Sequence, residues 1–137
     1  QWTDLSTIEH IYPQSMSDGW DASLSEISSP HVLGNLVLLP SYINSSLGNR
    51  PWKEKKLIYN MLASKTINVR NNLYSIALSE GVELSFTTEQ IAVKASMMQQ
   101  LESIGLVDNW DEKIVDKRSM NLYSRVWDEI HKWLIAP

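Results

Sequence analysis

Three features of the sequence carry groups suited to hydrolysing a phosphate ester, and they occur in a fixed order. The pair Glu9-His10 comes first, Asn35 follows Gly34, and Asn44 lies nine residues after Asn35. A neutral histidine is the usual base that takes a proton from water near pH 7. Carboxylate and amide oxygens are hard ligands that suit Mg²⁺, and a divalent cation stabilises charge on a phosphorane. The set therefore predicts a metal-assisted hydrolytic site.

The elements predicted around these residues would bring them to one place. The segment 7–12 is rich in β-forming residues and stops at Pro13, which lacks a ladder donor, so it predicts a strand. The apolar run 33–39, ended by Pro40, has the length of a buried strand. Ser41 is predicted to cap a short helix through about Leu47. A base on one strand, an Asn on the next and an oxygen ligand on the helix would converge in one ββα unit.

Three or four helices are predicted after residue 50, from apolar spacing and from helix start and stop residues. The candidate segments run from Pro51 to about Ser64, over 68–78, from Thr87 or Thr88 to Gly105, and onward from Trp110. In the last helix, Trp110, Trp127 and Trp133 are interpreted as packing residues. Trp20, Leu24 and Ile27 are predicted to pin a long polar loop over 14–30.

The length and composition fit one soluble domain. The chain has 137 residues and 43% hydrophobic residues, without any apolar run of the length of a membrane span. The absence of cysteine excludes disulfides and thiolate zinc sites. We predict an α+β fold that is mainly α, in which a ββα-metal core over 1–50 precedes a C-terminal helical bundle over 51–137. The chain is interpreted as the C-terminal fragment of a larger protein, located in the cytoplasm.

The charge distribution gives two opposite indications about nucleic acid. The formal net charge of −4 argues against a nucleic-acid binder. However, six of the twelve Lys and Arg residues lie between Arg50 and Arg70, where only Glu54 opposes them. This basic stretch could contact phosphates, or it could be an ordinary solvated helix face.

The order of the polar residues resembles a known nuclease family. The run Glu-His-Ile-Tyr-Pro-Gln over 9–14 looks like the first strand of HNH (ββα-metal) endonucleases, and Asn35-Leu36 looks like their second strand. Asn44 falls where the last HNH ligand is expected. The same opening and the same Asn-to-Asn spacing are similar to the HNH nuclease of CRISPR effectors.

A longer stretch resembles the C-terminal nuclease domain of GmrSD-type modification-dependent restriction systems. This similarity includes His-Val-Leu-Gly-Asn-Leu-Val-Leu-Leu over 31–39 and Asn-Ser-Ser-Leu-Gly-Asn-Arg-Pro-Trp-Lys-Glu-Lys-Lys over 44–56. Trp110, Ile114 and Arg118 fit a pattern that recurs near the C-terminus of that family.

The resemblance implies a role for each matching residue. His10 would be the general base, and Glu9 with Asn44 would bind Mg²⁺ or Mn²⁺. Asn35 would orient His10 either by bonding its ring or by pinning the connecting loop. Because consecutive side chains of a strand point to opposite faces, Glu9 and His10 can share a metal site only at an irregular strand end. The residues expected to contact nucleic acid or to support the site are His31, Asn49, Arg50, Lys53, Lys56 and Arg118.

The function implied is that of a metal-dependent DNA endonuclease domain, nicking one strand or cutting both, in a restriction and phage-defence protein. The implied partners are DNA and an N-terminal nucleotide-hydrolysing, DNA-sensing domain of the same protein, with no membrane. One alternative is a catalytically silent ββα module that binds or senses DNA. Another is a helical protein-interaction domain in which residues 50–134 are the working part. Binding of Mn²⁺ separates the nuclease from the silent module.

Overall fold

A pair of short strands forms the sheet of the molecule. The computed structural model describes residues 7–15, 17–92 and 98–135. Strand β1 (Thr7–His10) pairs antiparallel with strand β2 (Leu36–Leu39), with Glu9 opposite Val37. The side chains of that pair are buried, whereas those of Ile8 and Leu38, also opposite one another, are exposed. The sheet therefore packs one face on the core and leaves the other in solvent.

Helices make up most of the remaining described chain, which confirms the mainly helical α+β class. They are α1 (Ser41–Leu47), α2 (Trp52–Ala63), α3 (Ile67–Ser79), α4 (Thr88–Ala92), α5 (Glu102–Gly105) and α6 (Glu112–Ile135). Short 3₁₀ turns cover Ala22–Glu26, Leu33–Asn35 and Gln99–Leu101. The order β1, β2, α1 is the order that the proposed core requires, and its identity as an HNH core stays a prediction.

Two local predictions about the second strand and the first helix need correction. Residues 33–35 form a 3₁₀ turn because Gly34 lies directly against α6, where a Cβ would sit 2.0 Å from the Val115 carbonyl oxygen. The cap of α1 is Pro40, whose carbonyl accepts the first helical N–H bonds, and Ser41 is the first helical residue. Strand β2 is therefore shorter than predicted, although it still ends at Pro40.

The single helix predicted from Thr87 to Gly105 is also wrong. Thr87 and Gln90 exchange the reciprocal hydrogen bonds of a capping box, so α4 starts as expected. The helix does not continue to Gly105, since Met98 is buried in a non-helical conformation before the 3₁₀ turn and α5. The predicted helix carried Ile91, Ala95, Met98 and Leu101 as its apolar positions, and Ala95 lies within 93–97, outside the described part. The other three are buried, but only Ile91 lies in an α-helix.

A single hydrophobic cluster joins the strands to the helices, and α2 contributes the most central side chains. Helix α6 packs on this cluster only through its first turns, where Val115 and Ser119 are buried. Trp110 is fully buried, as predicted, but Trp127 and Trp133 are 63% and 76% exposed. The interpretation as packing residues is therefore wrong for Trp127 and Trp133, because α6 extends beyond the body on which it lies. No helix in the described part combines the length and apolar character needed to cross a bilayer.

Candidate active site

A pocket of about 260 Å³ lies where β1 ends and α1 begins to pack against it. It is lined by side chains from three places in the sequence: Glu9 and His10 of β1, Gln14 of the following turn, and Asn44 of α1 with Asn49 just after it. Glu9 and His10 therefore share a pocket although their strand positions alternate. This is possible because β1 stops at His10 and the chain turns there.

The His10 side chain is half-buried beside a second imidazole. His10 Nε2 lies 2.9 Å from His31 Nδ1, and the two rings meet edge to face. The Gln14 amide nitrogen lies 3.3 Å from both ring nitrogens of His10, which is long for a hydrogen bond. Burial lowers the pKa of His10, and the nearby charges of His31 and Lys55 lower that pKa further. His10 is therefore held towards the neutral form that a general base requires.

The Glu9 carboxylate is bound on one oxygen and open on the other. Oε1 accepts from Lys55 Nζ at 2.6 Å and from the Tyr59 hydroxyl at 3.2 Å. Oε2 has no hydrogen-bond partner in the described part of the chain, and it is not among the buried atoms that lack one. Glu9 lines the pocket, and Oε2 is its carboxylate oxygen without a protein partner there. Burial raises the pKa of Glu9, and the charge of Lys55 opposes that rise.

The Asn44 amide is oriented by the strand. Its Nδ2 donates to the Ile8 carbonyl oxygen at 3.0 Å. A carbonyl oxygen can only accept a hydrogen bond, so the amide nitrogen must face the strand. The Asn44 Oδ1 atom is thereby left free of partners among the described residues, in a side chain that lines the pocket. Two oxygens, one from Glu9 and one from Asn44, are available there together with the His10 ring.

Asn35 lies behind the pocket rather than in it. The side chain is fully buried, and its Nδ2 donates to the carbonyl oxygens of Tyr12 at 2.8 Å and Pro30 at 2.9 Å. Its Oδ1 accepts from the Tyr12 N–H at 2.8 Å and from Trp110 Nε1 at 3.4 Å. It makes no bond to the His10 ring. Of the two ways in which Asn35 was expected to orient His10, the geometry matches the pinning of the adjacent loops.

The sequence of this chain matches a nuclease family. The family model for the C-terminal domain of GmrSD restriction endonucleases matches residues 1–125. The chain belongs to this family. No curated protein matches the chain. The matched range includes every residue that lines the pocket and ends within α6. The chain is thus a nuclease-type domain of a restriction system.

Lys55 of this GmrSD C-terminal domain was missed as a site residue. Its fully buried ammonium donates to Glu9 Oε1, to the His10 carbonyl oxygen at 2.9 Å and to the Ile11 carbonyl oxygen at 3.0 Å. All three protons of the ammonium are therefore satisfied. Sequence analysis counted Lys55 only as part of a basic stretch. Glu9 could have predicted a buried cation, since a carboxylate on the inward face of a strand needs a counter-charge.

Carboxylates from inside and outside the basic stretch of the GmrSD C-terminal domain pair with its cations. Arg50 binds Glu54 at 2.7 Å and also donates to the Ser46 and Glu83 carbonyl oxygens. The corresponding N–O distance is 3.0 Å for each of the pairs Lys53–Glu80 and Lys56–Asp108. A DNA phosphate would have to compete with these carboxylates. Contact between DNA and Arg50, Lys53 or Lys56 stays a prediction.

The other residues predicted to contact nucleic acid occupy two different positions. Asn49 lines the pocket, and His31 touches the His10 ring, so both are close to the candidate site. Arg118 instead donates from one nitrogen to the carbonyl oxygens of Gly34 at 2.7 Å and Leu36 at 2.8 Å. In this position Arg118 ties α6 to the start of β2. Its contact with DNA is untested, as are those of Asn49 and His31.

Proposed function

We propose that this domain is a metal-dependent HNH endonuclease that hydrolyses phosphodiester bonds of DNA within a restriction system. One observation carries the proposal: His10, Glu9 and Asn44 line one pocket, and protein groups bind Glu9 Oε1 and Asn44 Nδ2 while Glu9 Oε2 and Asn44 Oδ1 keep no partner among the described residues. Substrate selection would belong to the expected N-terminal nucleotide-hydrolysing, DNA-sensing domain. DNA as the substrate and the cytoplasm as the place of action agree with the restriction family.

The chemistry of the pocket fits a hard cation. The described residues contain no cluster of three or more His, Cys, Asp or Glu side chains. Glu9 and Asn44 would hold Mg²⁺ or Mn²⁺ through two oxygens, and water would have to supply the other ligands, in keeping with the reluctance of Mg²⁺ to lose its waters. When bound, such a cation would stabilise charge on the phosphorane and on the leaving 3′ oxygen.

His10 would deprotonate the attacking water. Its Nε2 is engaged by His31, so Nδ1 is the nitrogen better placed to accept the proton. The lowered pKa keeps His10 ready to accept this proton near neutral pH. Lys55 and Asn35 would position the reacting groups from behind, because both are bound to the backbone that follows His10.

A second candidate is a silent DNA-binding module that never takes up metal. The buried ion pair favours it, because Lys55 neutralises Glu9 without any cation in the pocket. Titration calorimetry with Mn²⁺ separates the two functions. The nuclease binds Mn²⁺ and loses that binding in Glu9→Gln, whereas the silent module gives no heat with either protein.

Plasmid cleavage with Mg²⁺ or with EDTA tests the nuclease directly. Wild type should cut only with the metal, and His10→Ala should lose at least about 100-fold in rate, the usual contribution of a general base. His131→Ala, on the exposed part of α6, is the matched control and should cut normally. Normal cleavage by His10→Ala would contradict the base assignment. Cleavage in EDTA would contradict the metal requirement.

A further inference from the structure

The C-terminal half of α6 is a helix without a tertiary partner among the described residues. All thirteen residues from Tyr123 to Ile135 are exposed. The whole helix has 24 residues and is about 36 Å long at 1.5 Å per residue, so it extends well past its contacts with the body. A helical segment of this length is only marginally stable alone in water. The exposed half therefore requires a partner surface to be well formed.

The apolar side chains of this segment have the spacing of a coiled-coil seam. Met120, Tyr123, Trp127, Ile130 and Leu134 follow one another at intervals of three and four residues. Such alternation places side chains along one stripe that packs against another helix with a left-handed crossing. Each of the five is between 39% and 72% exposed. The stripe, defined by these five residues, thus specifies a helix as its occupant.

The charges of the segment permit a second copy of the same helix. The positions that flank the stripe are Ser124, Val126, His131 and Trp133, without any Asp, Glu, Lys or Arg. The charged residues lie on the opposite face, where Lys132 pairs with Glu129 at 2.6 Å. Two copies could therefore bring their stripes together without placing like charges opposite each other.

The exposed area is large enough for a stable dimer. The stripe with Val126, Trp133 and Ile135 presents roughly 1,000 Å² of side chain, since a large aromatic side chain alone accounts for about 150–250 Å². A standard specific interface buries about 800 Å² per partner. Within the described residues, α6 offers an exposed apolar stripe of this length, whereas the exposed apolar residues of α3 are scattered. The α6 helix of a second copy therefore offers the apolar stripe that could pack against this one.

We propose that this domain dimerises through α6, with the two helices antiparallel and the two-fold axis near Trp127. In that register Met120 of one copy faces Leu134 of the other, and Tyr123 faces Ile130. The antiparallel arrangement places the two bodies at opposite ends of the helix pair. Three of the five stripe residues lie beyond residue 125, where the family match ends.

Sedimentation of the 137-residue chain tests the dimer. Wild type should sediment with twice its 15.7 kDa mass. Trp127→Glu should raise the dissociation constant at least about 30-fold, as expected for a central interface aromatic. Asn121→Glu adds the same charge on the opposite, exposed face of α6 and should leave the dimer intact. A wild-type monomer at concentrations up to roughly 100 µM, or equal dimerisation by both variants, would overturn the proposal.

Cross-linking tests the register, and the absence of cysteine removes any background. An equimolar mixture of Ser124→Cys and His131→Cys should form a disulfide-linked heterodimer, because these positions face each other in the antiparallel pair. Each variant alone should form much less. Cross-linking by Ser124→Cys alone and not by the mixture would overturn the antiparallel register. Neither experiment depends on nuclease activity, so failure here leaves the proposed function separately testable.

Discussion

The pocket at the end of β1 and the far half of α6 depart from ordinary burial in opposite directions. At the pocket, Glu9, Lys55 and Asn35 are polar or charged and nearly fully buried. On α6, Trp127 and Trp133 are large and apolar but mostly exposed. Buried polar groups and exposed apolar patches are the two observations that usually carry functional information.

The two regions differ in where the partners of their side chains come from. Around the pocket, the protein itself satisfies the buried groups, since Lys55 has three acceptors and Asn35 has four bonds. This arrangement fixes side chains before any ligand arrives, as a reactive site requires. On α6, no described residue covers the stripe, and the partner that we propose for it is a second copy of the same helix. In our proposals, the first region carries out the chemistry and the second forms the dimer.

The largest effect is expected from removing the buried cation. Lys55→Met leaves the Glu9 carboxylate buried without its partner, which should lower the free energy of unfolding by about 3–5 kcal/mol. Lys53→Met removes a cation whose side chain is 79% exposed, so its effect should stay below about 1 kcal/mol. Urea unfolding measures both. Equal losses for the two variants would mean that the pocket is not held by its ion pair.

Removing Glu9 as well tests whether the effect of Lys55→Met comes from an unpaired buried charge. The double variant with Glu9→Met replaces both charges by apolar groups of similar size and should recover most of the lost stability. If the double variant is as unstable as Lys55→Met, the cost comes from the lost bonds to the His10 and Ile11 carbonyl oxygens instead.

The next comparison is between Asn44, the proposed metal ligand, and Asn35, which holds the loops behind the pocket. Asn44→Ala should weaken Mn²⁺ binding by about 10-fold or more, because the pocket loses a metal ligand. It should lower the free energy of unfolding by less than about 1 kcal/mol, since only one bond to Ile8 is lost. Asn35→Ala removes four buried bonds and should cost about 2–3 kcal/mol in stability.

Calorimetry and urea unfolding on the same two proteins separate these roles. After correction for the unfolded fraction, Asn35→Ala should bind Mn²⁺ nearly as well as wild type. If Asn44→Ala binds Mn²⁺ normally, Asn44 is a strand-to-helix tie and not a ligand.

Sequence analysis found the groups of the pocket but not the way in which they are held. The β-rich segment before Pro13 and the apolar run before Pro40 predicted the strand pair, because short-range patterns determine such elements. Sequence analysis could not predict every contact, however. It could not pair Lys55 with Glu9, since the two are 46 residues apart and only the packing of α2 brings them together. The basic stretch around Arg50 looked unopposed for the same reason, because its carboxylate partners Glu80 and Asp108 come from distant segments.

The end of α6 shows another property that the sequence could not predict. Apolar spacing correctly predicted a long helix after Trp110, but the same spacing cannot tell a core-facing stripe from one that faces another molecule. The interpretation of Trp127 and Trp133 as packing residues failed at that point. Only the extent of the body, which is a tertiary property, decides where the buried part of the helix stops.

The smallest effect is expected at the end of this helix. In protein dilute enough to be monomeric, Trp133→Ser should change the free energy of unfolding by less than about 0.5 kcal/mol, because the side chain touches mainly solvent. Trp110→Ser is the matched control and should cost about 3–5 kcal/mol, as expected for a fully buried tryptophan. Urea unfolding at low and high protein concentration measures both. If Trp133→Ser costs more than about 2 kcal/mol in the monomer, the end of α6 is held by its own chain, and the contrast with the pocket is lost.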